Sequence, residues 1–406
     1  MRSRMWCIAC VVALLCGADF WIGVGASRAA AGGGVQASGS GSAAGPASRG
    51  PLRYRAVFLA TPGYRQAMAW AAGSRWWVGS ALPAGHRVFG HAVLGWFGGR
   101  RLVCLQPAGF LWSLAAGTDG VAVVGDGQRA DGSGGALLWR GSPLKAVALA
   151  PAKSYASQAL SVLGGEEVGW VRVRKGGASY AALWRGSARR LVNLNPKGFL
   201  SSVATGTDGR NQAGWGLRRG GKPQALFWSG TPASAVDINP PGFESSKAYG
   251  IWDGCVAGEA RTRTGSEHAV LWMGASHRAV DLNPAGCWKS TCYAVRAGLE
   301  VGIVIRRKGG ICHAAVWRGS AASFVSLQAT LPSPYLGSQA SAVGPNGAAF
   351  GFAICPAEKR DAAVEWTLKT ASPNGKLRPA AAAGDPPAKQ ELAKLNALAP
   401  APEKKK

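Results

Sequence analysis

The sequence predicts an all-β fold, a seven-bladed β-propeller built from seven four-stranded repeats of about 44 residues. Three observations carry this. First, a tryptophan closes one strand of each repeat, at Trp96, Trp139, Trp184, Trp228, Trp272, Trp317 and Trp366, with intervals of 43, 45, 44, 44, 45 and 49 residues. Second, a small residue precedes a glycine by ten positions in every repeat: Ala69 and Gly79, Ala115 and Gly125, Ala159 and Gly169, Ala204 and Gly214, Ala248 and Gly258, Cys292 and Gly302, Ser341 and Gly351. Third, helix signals are missing, and 59 glycines in 406 residues argue against long helices. A unit of this length cannot bury its apolar face alone, and repeats of about 40–50 residues with four strands each are the pattern of a propeller. A linear β-solenoid would want shorter coils and capping repeats, which the sequence does not offer.

Each element has its own reason. The small residue lies in one strand and the glycine in its antiparallel partner. Between them stand Asp119-Gly120, Asp208-Gly209, Asp253-Gly254 or Asn346-Gly347, pairs that suit a type I′ turn because both central residues need positive φ. A third strand is of the Ala-Val-Leu-Trp type, as in Ala225 to Trp228, Ala269 to Trp272 and Ala314 to Trp317. A fourth is of the Val-Asp-Leu-Asn-Pro type: Leu191 to Pro196, Val236 to Pro240 and Val280 to Pro284. Its proline ends the strand because it cannot donate to a ladder. Gly-Phe or Gly-Tyr often follows, as at Gly63-Tyr64, Gly109-Phe110, Gly198-Phe199 and Gly242-Phe243. Two blade phases are open, with either the Val-Asp-Leu strand or the Trp strand innermost. The second pairs Ala362 to Trp366 with the N-terminal strands, which removes sheet edges, and is the one favoured.

His91-Ala92-Val93-Leu94, His268-Ala269-Val270-Leu271-Trp272 and His313-Ala314-Ala315-Val316-Trp317 resemble the signature of the HAF family of probable extracellular repeats. The order of segments matches over roughly residues 56–368. Gly135, Tyr180, Gln224 and Ala362 replace the histidine in the other units. The resemblance implies an extracellular repeat architecture and brings no catalytic residues with it.

Four regions follow from composition. Residues 1–28 read as a signal peptide, with Arg2 and Arg4 before the apolar stretch from Met5 to Leu15, which is shorter than the roughly 20 residues of a membrane span. Residues 29–50 are a Gly/Ala/Ser-rich linker, 51–369 the propeller, and 370–406 an Ala/Pro/Lys-rich tail expected to be disordered. The expected location is therefore secreted, periplasmic or at the cell surface, with no transmembrane helix in the mature chain. Beyond the signal lie six cysteines: Cys104, Cys255, Cys287, Cys292, Cys312 and Cys355. An even number fits an oxidising compartment. Comparison of units puts Cys287 in the slot of Phe243 and Cys292 in that of Ala248, so a Cys287–Cys292 disulfide is the one pairing that can be argued; the other four cysteines leave three pairings open.

The chain carries a formal charge of +26. Residues 51–368 contain 34 Lys and Arg against 16 Asp and Glu, a net +18, so the tails are not its only source. The turns between the second and third strands of units three to six hold Arg172, Arg174 and Lys175; Arg218, Arg219 and Lys222; Arg261 and Arg263; Arg306, Arg307 and Lys308. With four strands per unit, equivalent turns share one face in either phase. A basic arc of this kind attracts polyanions, and arginine's planar fork suits carboxylate and phosphate. Acidic polysaccharide or another anionic envelope polymer is the expected partner; there is no specific nucleic-acid motif, and the oligomeric state is open. A repeated Trp-Arg-Gly-Ser (Trp139-Arg140, Trp184-Arg185, Trp317-Arg318) reads as a polar turn after a core tryptophan on the opposite face. Trp76-Trp77, Trp112 and Trp288 break the pattern and are candidates for exposed stacking surfaces.

No catalytic motif is found: no nucleophile elbow, phosphate loop, Glu-rich metal motif or EF-hand. No cofactor and no metal site is expected. Of five histidines, His91, His268 and His313 share one repeat position, while His86 and His277 do not. The function expected is a non-catalytic binding or display module. Two alternatives stand beside it: a propeller-fold hydrolase or lyase with a site at the central channel, built from Asp237 and Asp281 with His268 and His313, and a structural envelope component. Asp237, Asp281 and Asn193 in the matching slot could line that channel or equally cap the Asn-Pro turn.

Overall fold

The structure, a computed structural model, describes residues 52–86, 90–97, 101–142, 144–358 and 360–369. The signal peptide, the linker and the tail beyond residue 369 lie outside the described residues. Strand β1 (Tyr54–Phe58) precedes the first full blade, which is β2 (Tyr64–Ala72), β3 (Trp76–Pro83), β4 (His91–Trp96) and β5 (Leu102–Cys104). Blade 2 is β6 (Phe110–Thr118), β7 (Val123–Arg129), β8 (Gly134–Arg140) and β9 (Lys145–Ala148); blade 3 is β10 (Ala156–Leu163), β11 (Glu166–Arg172), β12 (Ser179–Trp184) and β13 (Val192–Asn193). Blade 4 is β14 (Phe199–Thr207), β15 (Gln212–Arg218), β16 (Pro223–Trp228) and β17 (Val236–Asp237); blade 5 is β18 (Ser245–Trp252), β19 (Cys255–Arg261), β20 (Glu267–Met273) and β21 (Arg278–Asp281). Blade 6 is β22 (Lys289–Arg296), β23 (Leu299–Ile305), β24 (His313–Trp317) and β25 (Val325–Ser326), and the chain ends with β26 (Gly337–Val343), β27 (Ala349–Cys355) and β28 (Arg360–Leu368).

All seven sheets are four-stranded and antiparallel, and the seventh has the order β26-β27-β28-β1. This is a seven-bladed β-propeller. The last blade is closed by the N-terminal strand, with Ala56 opposite Trp366 and Tyr54 opposite Leu368, so the ring is shut by main-chain pairing as expected. The phase differs from both alternatives. The small-residue strands β2, β6, β10, β14, β18, β22 and β26 are innermost and touch one another around the ring. The Trp strand is third and the Val-Asp-Leu strand outermost. Small residues are needed at the centre, where seven strands converge and side chains have the least room.

The ten-residue spacing has a physical cause. Six of the seven pairs are direct cross-strand partners, such as Ala115 with Gly125 and Ala204 with Gly214; in blade 7 the partner of Gly351 is Ala340 rather than Ser341. Immediately after the small residue, each inner strand carries a β-bulge, between Ala69 and Ala71, Ala115 and Gly117, Ala159 and Ser161, and at the equivalent places in the other four blades. The bulge presses a backbone carbonyl against the glycine. A Cβ on Gly79, Gly125, Gly169, Gly214, Gly258, Gly302 or Gly351 would sit 1.8 to 2.1 Å from that oxygen. The glycine in the second strand is therefore the sequence trace of a bulge in the first.

The turns are less uniform than expected. Asp253-Gly254 has φ of 49° and 72°, as a type I′ turn requires. At Asp119-Gly120, Asp208-Gly209 and Asn346-Gly347 only the glycine has positive φ. There the loop is wider; Asp119 Oδ1 accepts the amides of Val121 and Ala122, and Asp208 Oδ1 those of Arg210 and Asn211. These aspartates build side-chain turns in place of the tight hairpin.

The core lies between blades. One cluster joins Ala257, Ala269 and Leu271 of blade 5 to Cys292, Val304 and Trp317 of blade 6. The repeat tryptophans fill these interfaces, and several reach back to the preceding blade: the indoles of Trp139, Trp228 and Trp272 donate to the carbonyls of Leu105, Leu194 and Ile238 at 2.7 to 2.9 Å. Blade 1 departs from this. Trp96 is exposed and Trp77 is buried, the reverse of the expectation for both. Gly95 holds the usual tryptophan slot and stands opposite Trp77, whose ring occupies the space; a Cβ on Gly95 would lie 2.5 Å from it. The indole has moved to the neighbouring strand, and Gly95 restores the 44-residue step to Trp139. Trp76, Trp112 and Trp288 are half-buried.

The Asn-Pro motif is also an inter-blade latch. Asn239, after β17, accepts from Ser246 Oγ of the next blade at 2.7 Å, while that same Oγ accepts the amide of Ala225 in β16 at 3.1 Å. The set recurs with Asn195 and Ser202, with Asn283 and Ser290, and with Gln328 and Ser338. Each serine is buried, so its hydroxyl satisfies groups that would otherwise be costly.

The Trp-Arg-Gly-Ser segment is a polar turn, as expected. The amides of Gly186 and Gly319 donate to Glu167 and Glu300 at 2.8 and 2.7 Å; blade 4 uses the uncharged Gln212 for the same task at Gly230. Glu300 is 1% exposed, and burial pushes its carboxyl up to about 7. A carboxyl raised in the folded state loses stability as pH climbs from the ordinary value of 4.5 through about 7. Glu300→Gln is therefore expected to stabilise the protein by about 1–3 kcal/mol above pH 7 and to have little effect near pH 4. Thermal unfolding of both proteins across that range checks this.

Among the described residues no two cysteines are joined. The Cys287–Cys292 disulfide is not formed, because the intervening chain enters β22 at Lys289 and runs extended. At roughly 3.3 Å per residue the three steps from Lys289 to Cys292 alone span about 10 Å, beyond the roughly 4–7 Å between the α-carbons of a disulfide. Cys292 is buried in the blade interface, where burial pushes its thiol well above the usual range. Cys104, Cys255, Cys312 and Cys355 stand in blades 1, 5, 6 and 7.

Candidate functional site

Antiparallel order places every turn between second and third strands on the same face as the connections between blades. The basic arc therefore lies on one face, across the consecutive blades 3 to 6. Four of its side chains are already engaged. Arg172 is half-buried and donates to Ser179 Oγ at 3.2 Å, beside the Trp170 ring. Arg218 stacks over Phe199 at 4.0 Å and lies 4.0 Å from Asp237. Lys222 pairs with Glu244 at 2.6 Å and holds its carboxyl below the usual range. Arg261 pairs with Glu267 at 3.0 Å.

The other seven, Arg174, Lys175, Arg219, Arg263, Arg306, Arg307 and Lys308, are exposed, and no ion pair with them occurs among the described residues. The structure thus divides the arc into pairs that hold the turns in shape and cations that face solvent. Glu267 stands opposite Arg261 in the same hairpin, but Glu244 reaches Lys222 from the start of the next blade, a pairing that sequence alone does not show.

The histidine slot lies on this face too, at the outer strands. His268 Nδ1 is 2.8 Å from Asp281, and His91 Nδ1 is 3.6 Å from Cys104. His313 is held below its ordinary value by burial and then by Arg306, so it adds no positive charge near neutral pH. Asp237 and Asp281 do not line the channel: they belong to the outermost strands β17 and β21, and Asn193 to β13. They cap the Asn-Pro turn instead, their Oδ1 atoms accepting the amides of Asn239, Asn283 and Asn195 at 3.0, 2.8 and 2.8 Å. Among the described residues no three His, Cys, Asp or Glu side chains gather as a metal site, and no helix is long and apolar enough to cross a membrane.

The channel itself is bordered by the inner strands. It encloses a cavity of about 280 Å³ towards the ends where those strands turn into the second ones, the face opposite the arc. The seven bulge residues, Trp70, Ala116, Leu160, Thr205, Tyr249, Tyr293 and Ser341, all border it.

No family model matches the sequence, and a search of curated proteins gives no match. Solved structures do match. Puromycin hydrolase is similar at a TM-score of 0.52 and 13% identity, over 78% of this chain and 57% of that one. TolB from Acinetobacter baumannii scores 0.42 at 13% identity, over 65% and 64% of the two chains. The BP39L lectin from Burkholderia pseudomallei scores 0.42 at 15% identity, over 75% and 96%. The likeness is one of fold. The chain spans little more than half the length of the hydrolase it matches.

The bulge residues were not singled out from the sequence. A signal was there: the position after each small residue reads Trp70, Tyr249 and Tyr293 in three blades. It becomes informative only once that strand is known to be innermost.

Proposed function

We propose that this propeller is a secreted or cell-surface binding module, without catalysis, that holds an acidic polysaccharide or other anionic envelope polymer on its basic face. The observation that carries the reading is the set of seven exposed cations in blades 3 to 6 that have no acidic partner among the described residues. Four neighbouring blades repeat the charge along an arc, which suits a chain-like ligand better than a point ion. The paired cations keep their turns in place and limit the rearrangement needed on binding. The extracellular setting is part of this proposal; it rests on the Arg2, Arg4 and Met5–Leu15 pattern and on the HAF resemblance.

The test compares polygalacturonate with its methyl ester, which keeps the backbone and loses the charge. Tight binding to the acid and at least about tenfold weaker binding to the ester is expected, a difference of roughly 1.4 kcal/mol. Equal affinity for the two would remove charge as the basis of recognition.

A further inference from the structure

The axial cavity is separate from the basic face and differs from it in chemistry. Its volume of about 280 Å³ is close to the lower end, roughly 300 Å³, of small-molecule sites. A β-bulge re-aims one side chain out of the regular alternation of its strand, and here all seven bulge residues border one axial cavity. Three are aromatic. Trp70 is fixed by donating to Ser80 Oγ at 3.0 Å and by edge-on contact with Phe352 at 5.4 Å. Tyr249 donates to Glu259 at 2.8 Å and rests against Tyr293, ring centres 5.6 Å apart. Glu259 also accepts from Thr291 at 2.8 Å, so that carboxylate is occupied in orienting a wall.

A second observation points to a ligand. Gln339 borders the cavity and is 4% exposed. Its Nε2 donates to Ser341 Oγ at 3.1 Å, while its buried Oε1 has no hydrogen-bond partner. A buried acceptor left in this state is costly, and a turn of the Gln339 side chain towards the cavity would let a hydroxyl donor there satisfy it. The charged groups at the cavity are otherwise committed: Asp119 holds the amides of Val121 and Ala122, and Arg296 stacks over Trp252 at 4.2 Å. Fixed aromatic rings, hydroxyl groups and an amide acceptor suit a neutral, hydroxylated ring whose C–H surface packs on the aromatics.

We propose that the axial cavity binds a neutral saccharide, with a sugar hydroxyl donating to Gln339 Oε1 and the ring packed among Trp70, Tyr249 and Tyr293. This does not rest on the polyanion reading, and the two can fail separately.

The test titrates the full chain with glucose, galactose, mannose, N-acetylglucosamine, maltose and cellobiose, followed by tryptophan fluorescence and calorimetry. Binding of at least one in the roughly millimolar range, unchanged by salt, is expected. Gln339→Ala should weaken it about tenfold. Ala116→Trp should abolish it by filling the cavity; the equivalent bulge in blade 1 already carries Trp70, so the backbone there accepts an indole, and the variant removes no existing contact. A triple change of Arg219, Arg306 and Arg307 to serine should leave sugar binding intact. If no sugar on the panel binds, or if the Ala116→Trp protein binds as well as the parent while unfolding at the same temperature, the proposal is overturned.

Discussion

Changing Arg219, Arg263, Arg306 and Arg307 to serine is expected to lower affinity for an acidic polysaccharide by roughly 30- to 900-fold and to leave the unfolding temperature unchanged. The chosen residues are four of the seven exposed cations that form no ion pair among the described residues. Arg218 and Arg261 are left alone because they stack on Phe199 and pair with Glu267; removing them would disturb the turns and blur the result. Each exposed contact to a polyanion is modest, in the range of about 0.5–1 kcal/mol. Four such contacts acting on one polymer amount to roughly 2–4 kcal/mol, which is the stated loss in affinity. The matched control changes Arg172, Arg218, Lys222 and Arg261 instead. It removes the same formal charge, but three of its four cations are already paired with carboxylates, so a smaller loss of binding and a larger loss of stability are expected. If the two sets behave alike, net charge alone decides binding and the division of the arc has no meaning.

The second large effect is on stability. Gly214→Ala is expected to destabilise the propeller by about 3 kcal/mol or more. The new Cβ would lie 2.0 Å from the Val203 carbonyl oxygen and 2.9 Å from the Ala204 α-carbon. Both are backbone atoms held by the bulge, so neither can move without unmaking it. Gly90→Ala serves as the comparison, since its Cβ would sit 3.6 Å from its nearest neighbour, an ordinary contact. Denaturant unfolding of the two variants beside the parent measures the difference. A Gly214→Ala protein as stable as Gly90→Ala would mean that the bulge is not rigid, and with it the placement of the channel side chains.

That link between glycine and bulge also explains how much could be read from the sequence. The seven repeats, the antiparallel pairing of Ala204 with Gly214 and its counterparts, and the closure of the ring through Trp366 were legible, because period and turn chemistry are local properties. The blade phase was not. Nothing in Ala69 or Cys292 says that the strand around it faces the axis; that follows from packing seven strands around one centre, a constraint no single repeat contains. The same blindness hid Trp70, Tyr249 and Tyr293, and it misplaced Asp237 and Asp281, whose Val-Asp-Leu strand is outermost. The disulfide failed for a related reason. Comparing Cys287 with Phe243 and Cys292 with Ala248 identified two slots in the same interface, but sharing an interface does not bring two α-carbons within bonding range. The basic arc was legible because it depends only on strand parity. Which of its members remain unpaired was not, since the pairing of Lys222 with Glu244 is set by the start of the next blade.

Whether the basic face holds a polyanion is decided most simply by the affinity of the protein for polygalacturonate as a function of salt. The arc presents seven exposed cations without an ion pair among the described residues, and engagement of most of them predicts a steep linear fall of log K with log salt, a loss of about 10³-fold between roughly 50 and 200 mM. A slope of that size, reduced in the variant lacking Arg219, Arg263, Arg306 and Arg307, is expected of binding through the arc. Binding that is insensitive to salt, or a slope identical in parent and variant, would contradict it.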